Sequence, residues 1–79
     1  MTKKEITEAL SPRQLEAACL VAQGMTDREV GKTLSISPRT ANAHRAAAMR
    51  KLKVRRLAHL VLMLERSGML AQPKGRLQP

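Results

Sequence analysis

Thr26 to Leu52 reads TDREVGKTLSISPRTANAHRAAAMRKL. It contains two helix starts in succession. At the first, Thr26 is a capping residue and Glu29, three positions on, closes a capping box. Val30 and Leu34 lie four apart on the buried stripe of this helix. At about eight residues it is too short to form alone. Ser35-Ile36 makes a short turn. At the second start Ser37 caps, Pro38 takes the first helical position, and the helix runs to about Leu52. Helix, tight turn and helix make a helix-turn-helix unit.

Upstream, Ser11, Pro12 and Gln14 repeat the capping pattern, and Gly24 stops that helix. Its second half, Ala17-Ala18-Cys19-Leu20-Val21-Ala22, is apolar nearly all round and is expected to be surrounded by neighbours. Downstream, Lys53-Val54-Arg55-Arg56 is a basic linker. A fourth helix follows, from about Leu57 to Ser67, ended by Gly68. Leu57, Leu60, Val61 and Leu64 form its core stripe. Leu62 and Met63 point elsewhere, beside His59 and Arg66, as an association patch. The chain has no Phe, Tyr or Trp, so Leu, Val, Ile, Met and Ala must build the core, which suits interdigitated helices. The fold class is all-α with four helices. Seventy-nine residues make one domain that buries only about 60% of its unfolded surface. The domain is placed at 10–71, between a loose polar arm at 1–9 and a flexible tail at 72–79.

The 35 residues between Glu29 and Glu65 hold eight basic side chains and no acidic one: Lys32, Arg39, Arg45, Arg50, Lys51, Lys53, Arg55 and Arg56. With a formal charge of +9, the chain calls for an acidic partner: nucleic acid, an anionic membrane surface or an acidic protein. The fourth helix lacks the lysine-rich polar face of a membrane-surface helix. The longest apolar run is six residues, against roughly 20 for a span. No signal peptide is expected, and the lone Cys19 reads as a small hydrophobe in a reducing compartment. A cytoplasmic location, at the nucleoid, is expected.

At 100° per residue, Arg39, Asn42, Ala43, Ala46 and Arg50 share one sector of the third helix. Ala41, Ala48 and Leu52 lie opposite, as core. Asn can hold adenine by two hydrogen bonds, and alanine can sit against a thymine methyl group. Arg39 and Arg50 reach a guanine or flanking phosphates. Thr40, near the helix N-terminus, favours a phosphate. The alternative is an ordinary solvated face, since alanine is common on exposed helices.

From Leu10 to about Leu70 the chain resembles the LuxR/GerE/FixJ-type helix-turn-helix domain of bacterial transcription regulators. The matching motifs are Leu10-Ser11-Pro12-Arg13 with Glu16, Ala22-Gln23-Gly24, Ser35-Ile36-Ser37, Thr40 with His44-Arg45, and Arg50-Lys51-Leu52 with Val54. The resemblance implies a major-groove recognition helix and a fourth helix that pairs two copies on a near-palindromic site. By the resemblance Asn42, Ala43 and Ala46 would face bases, with Arg39, Thr40, Arg45 and Lys51 near the backbone; the shared helical sector adds Arg39 to the base-facing set. Thr26, Ser37, Thr40, His44, Arg45, Arg50, Lys51 and Lys53 would lie along the backbone. His59, Leu62, Met63 and Arg66 would form the pairing surface. The chain departs from the family pattern at Ala41 (usually Val), Asn42 (often Lys), Ala48 (Ile or Leu) and Lys53 (Gly). The two core alanines imply looser packing of the third helix.

No catalytic constellation or Gly-rich phosphate loop is present, and His44 and His59 lack partners at metal-ligand spacing. No enzyme, metal or cofactor is expected. Asp27 is read as complementing the dipole of its helix, and Glu16 as pairing with a basic residue of another helix. The expected function is a transcription regulator on double-stranded DNA, acting as a homodimer. The further partners are RNA polymerase or a larger LuxR-type regulator. The alternative is a small interaction protein that pairs with such a regulator and modulates it. Met1 and the short leader favour a stand-alone regulator over an excised domain.

Overall fold

The computed structural model describes residues 1–70. The expected tail, 72–79, lies outside them. The order is α1 Lys3–Ala9, α2 Pro12–Ala22, α3 Asp27–Leu34, α4 Pro38–Lys51 and α5 Leu57–Arg66, with no strand among the described residues. The predicted first to fourth helices are α2 to α5. Their starts follow from the caps. Ser11 Oγ accepts from the Gln14 amide at 3.2 Å, and Thr26 Oγ1 from the Glu29 amide at 3.2 Å. Ser37 Oγ accepts from the Thr40 amide at 3.0 Å.

α1 was not expected. Residues 1–9, read as a loose arm, form a helix with its own capping box. Thr2 Oγ1 accepts from the Glu5 amide at 3.2 Å, and Glu5 Oε1 accepts from the Thr2 amide at 2.8 Å. A seven-residue helix has too few hydrogen bonds to persist in water. Packing holds it: Ile6 is 0% exposed and lies in the same cluster as Leu60 and Leu64.

The core has two parts. One gathers Ile6, Leu10, Ala18, Ala22, Ala48, Leu52, Val54, Leu60, Leu64 and Leu70. The other gathers Ala17, Val21, Val30, Leu34 and Ala41. α2 contributes to both, through Ala17 and Val21 on one side and Ala18 and Ala22 on the other. α4 contributes Ala41 to one and Ala48 to the other. Both α4 alanines are fully buried. Alanines at a crossing bring helix axes to the short end of the usual 8–10 Å range. α2 and α3 are the main neighbours of α4, so its small core residues face those two helices.

The turn between α3 and α4 is tight. Ser35 is left-handed at φ 59, and the Ile36 amide donates to the Gly31 carbonyl at 2.9 Å. A Cβ at residue 31 would stand 2.6 Å from the Ile36 carbonyl oxygen, so glycine lets the turn fold back onto α3.

Two residues of α5 differ from expectation, Leu57 on the core stripe and Met63 off it. Leu60 and Leu64 are buried, but Leu57 is 47% exposed. Angular position gives burial only where a neighbour covers it, and at the first residue of α5 none does. Met63, expected to point away, is half-buried and packs on the core.

Candidate nucleic-acid interface

α4 shows a clean division between faces. Arg39, Asn42, Ala43, Ala46 and Arg50 are all exposed, while Ala41 and Ala48 are buried. His44 and Arg45 are intermediate, on the flank. No acidic residue stands in the first turn of α4, so nothing there cancels the positive end of its dipole. Ser37 Oγ accepts from the Thr40 amide and donates to Thr40 Oγ1 at 3.0 Å, which fixes both hydroxyls at this helix start. Thr26 caps α3, whose first turn already carries Asp27 and Glu29.

The flank holds the main charged contact of the described residues. Asp27, in the first turn of α3, faces α4. Its carboxylate accepts from Arg45 Nε at 3.0 Å, Arg45 Nη2 at 3.3 Å and Asn42 Nδ2 at 2.8 Å. The Arg45 hydrogen bonds, with a smaller contribution from Asn42, hold the Asp27 carboxyl below the usual range. Dipole complementation is thus only part of the role of Asp27, since the residue also ties α3 to α4. Arg45 and Asn42, picked out as separate contacts to the backbone and a base, share one carboxylate. No signal in the sequence links them, because the partners lie 15 and 18 residues apart.

Other expected contacts also have internal partners. Lys51 Nζ donates to Gln14 Oε1 at 2.8 Å, joining α4 to the start of α2. Glu16 pairs with Arg13 on its own helix at 3.2 Å, not with a basic residue of another helix. The pair is one turn apart and exposed, and solvent makes such a contact worth little.

Beyond α4 the surface is basic. Arg45, Ala46, Met49, Arg50, Lys53, Val54 and Arg55 line an open groove. A second groove continues it through Lys53, Arg55, Arg56 and His59. No acidic side chain lines either, and Arg55 and Arg56 extend the cationic strip past the chosen site residues. Lys53 sits where the chain leaves α4, left-handed at φ 59. That geometry accounts for glycine being usual there. On α5, His59, Leu62, Met63 and Arg66 line one groove together with Met1, so the residue that starts the chain, ahead of α1, stands at the expected pairing surface.

Among the described residues no group of three or more His, Cys, Asp or Glu is placed to hold a metal ion. No helix among them is long and apolar enough to cross a membrane.

The family model described as "Bacterial regulatory proteins, luxR family" matches residues 8–64. Most of α1 therefore lies outside the match. The chain is 35% identical over 71 residues to the tetrathionate response regulatory protein TtrR of Salmonella typhimurium, covering 90% of this chain and 33% of that protein. It is 38% identical over 61 residues to the transcriptional regulatory protein FixJ of Rhizobium meliloti, covering 77% of this chain and 30% of FixJ. To the transcriptional regulatory protein LiaR of Bacillus subtilis it is 40% identical over 47 residues, covering 60% of this chain and 22% of LiaR. The chain spans a third or less of the length of these relatives.

Proposed function

This chain belongs to the luxR family of bacterial regulatory proteins, and on that footing we propose that it reads duplex DNA with α4 in the major groove. It is a transcription-regulator domain and not an enzyme. Arg39, Asn42, Ala43 and Ala46 face the bases. Ser37 and Thr40 at the start of α4, with Arg50 and Lys53 at its end, bracket that face and meet the phosphates. Thr26, His44, Arg45 and Lys51 border the same strip. Two copies pair through α5, which sets their recognition helices one DNA turn apart, about 34–36 Å.

The supporting observation is the outward face of α4. Its exposed residues are small or polar, cations stand at both ends, and a continuous basic strip follows. Small side chains let the helix axis approach base edges, and the flanking cations supply phosphate affinity.

Selection of duplexes from a random pool tests the reading. It should return one motif with two-fold symmetry and a half-site spacing of about one turn. Affinity should fall with salt at a log–log slope of roughly −0.9 per neutralised phosphate. A pool that returns no motif, with equal binding to all sequences, would overturn base reading. Together with tight binding to a larger regulator, that result would place the chain as a pairing protein.

A further inference from the structure

Asp27 is the only aspartate in the chain, and its carboxylate faces two side chains of α4. We infer that Asp27 is a positioning residue that fixes which edge of Asn42 a base pair meets, and so makes adenine preferred over guanine there. The inference rests on α4 reading bases, as proposed above.

A carboxylate accepts hydrogen bonds and donates none, whereas a carboxamide has a donor side and an acceptor side. Asn42 must therefore turn its nitrogen toward Asp27, where Nδ2 lies 2.8 Å from Oδ2. With no partner, an exposed carboxamide rotates and offers either edge. Held by Asp27, it has one N–H and Oδ1 left for a ligand, in a fixed order. Adenine shows an acceptor, N7, beside a donor, N6–H₂, and that pair is its complement. Guanine shows two acceptors, N7 and O6, and would need two donors. One of Asn42's two N–H groups is already engaged, so guanine is disfavoured.

Arg45 makes the arrangement rigid. Nε and Nη2 bind the two carboxylate oxygens at 3.0 and 3.3 Å, which sets the plane of the acid. The pair is partly shielded, with side chains 28% and 30% exposed. Its charges cancel, so the acid can stand beside DNA without repelling phosphates. Asp27 touches no base in this arrangement and acts through Asn42.

The test compares selection from a random duplex pool by the unaltered chain, Asp27→Asn and Asp27→Ala, with melting followed for each. Asn at 27 keeps the shape but offers both a donor and an acceptor, so Asn42 is no longer forced one way. The expected result is that adenine-over-guanine preference at one base pair per half-site falls about fivefold to a hundredfold. The remaining positions of the motif should be unchanged. Asn42→Ala should lose the same preference, and adding Asp27→Asn to it should change nothing more. A purely structural role would weaken all sequences alike and leave preference at that pair intact. If the unaltered chain selects a motif and both Asp27 variants keep the adenine preference, the inference is overturned and base reading by α4 stands. If the unaltered chain selects no motif, both fall.

Discussion

The Cβ that Gly31 lacks would stand 2.6 Å from the carbonyl oxygen of Ile36, and 3.3 Å from the Pro38 nitrogen. All the obstructing atoms are backbone, so no side chain can swing away. Gly31→Ala should force α3 and the turn apart and cost about 1–3 kcal/mol, the usual range for overpacking. In a domain this small that lowers Tm by about 4–8 °C per kcal/mol. Thermal unfolding checks it; a variant as stable as the parent would show that the turn can relax.

Lys53 adopts φ 59, where a side chain is strained and glycine is not. Lys53→Gly should raise stability by about 0.5–1 kcal/mol in urea titrations. It should also weaken DNA binding and make the salt slope shallower by about one unit, if Lys53 meets a phosphate. Lys53→Ala loses the charge and keeps the strain, so it should show the second effect without the first.

The Asp27 carboxyl titrates below its ordinary value because Arg45, and then Asn42, hydrogen-bond its charged form. Its folded pKa is thus lower than its unfolded one, near 3.9. The stabilisation is complete above the unfolded value. It is lost as pH falls from there through the folded value. The stability gap between the parent and Asp27→Asn should therefore be constant from pH 7 to about 5 and close in acid. Urea titrations at several pH values measure it. A gap that widens in acid would mean that the contact is not held by charge.

Leu62 is 41% exposed on the groove it shares with Met1, His59, Met63 and Arg66. Leu62→Glu should reduce self-association and DNA affinity with little change in Tm. Met63 is the poorer probe, because it packs on the core and a charge there would unfold the domain. Sedimentation equilibrium decides; unchanged association by Leu62→Glu would remove α5 as the pairing surface.

Among the described residues, four of the five helix starts announce themselves as Ser or Thr caps, three of them with a Glu or Gln three residues on. The start at Thr2 carries the same signal as Ser11 and Thr26. The polar, mixed-charge composition around it masks that signal, and only the docked neighbours of Ile6 show that the segment is held. The outward face of α4 was also legible. Ala41 and Ala48 are buried, and Arg39, Asn42, Ala43, Ala46 and Arg50 are exposed, as helical periodicity requires. Periodicity failed at Leu57 and Met63, where the presence or absence of a neighbour overrides the angle.

Caps and periodic stripes operate within about four residues, so the amino-acid order alone settles where each helix begins and which side of it is apolar. Asp27 with Asn42 and Arg45, Lys51 with Gln14, and Ile6 with Leu60 span 15 to tens of residues. These meetings follow from how rigid helices dock. They turn on interaxial geometry that no local pattern encodes, and they set which side chains on the outward face of α4 are free to meet a ligand.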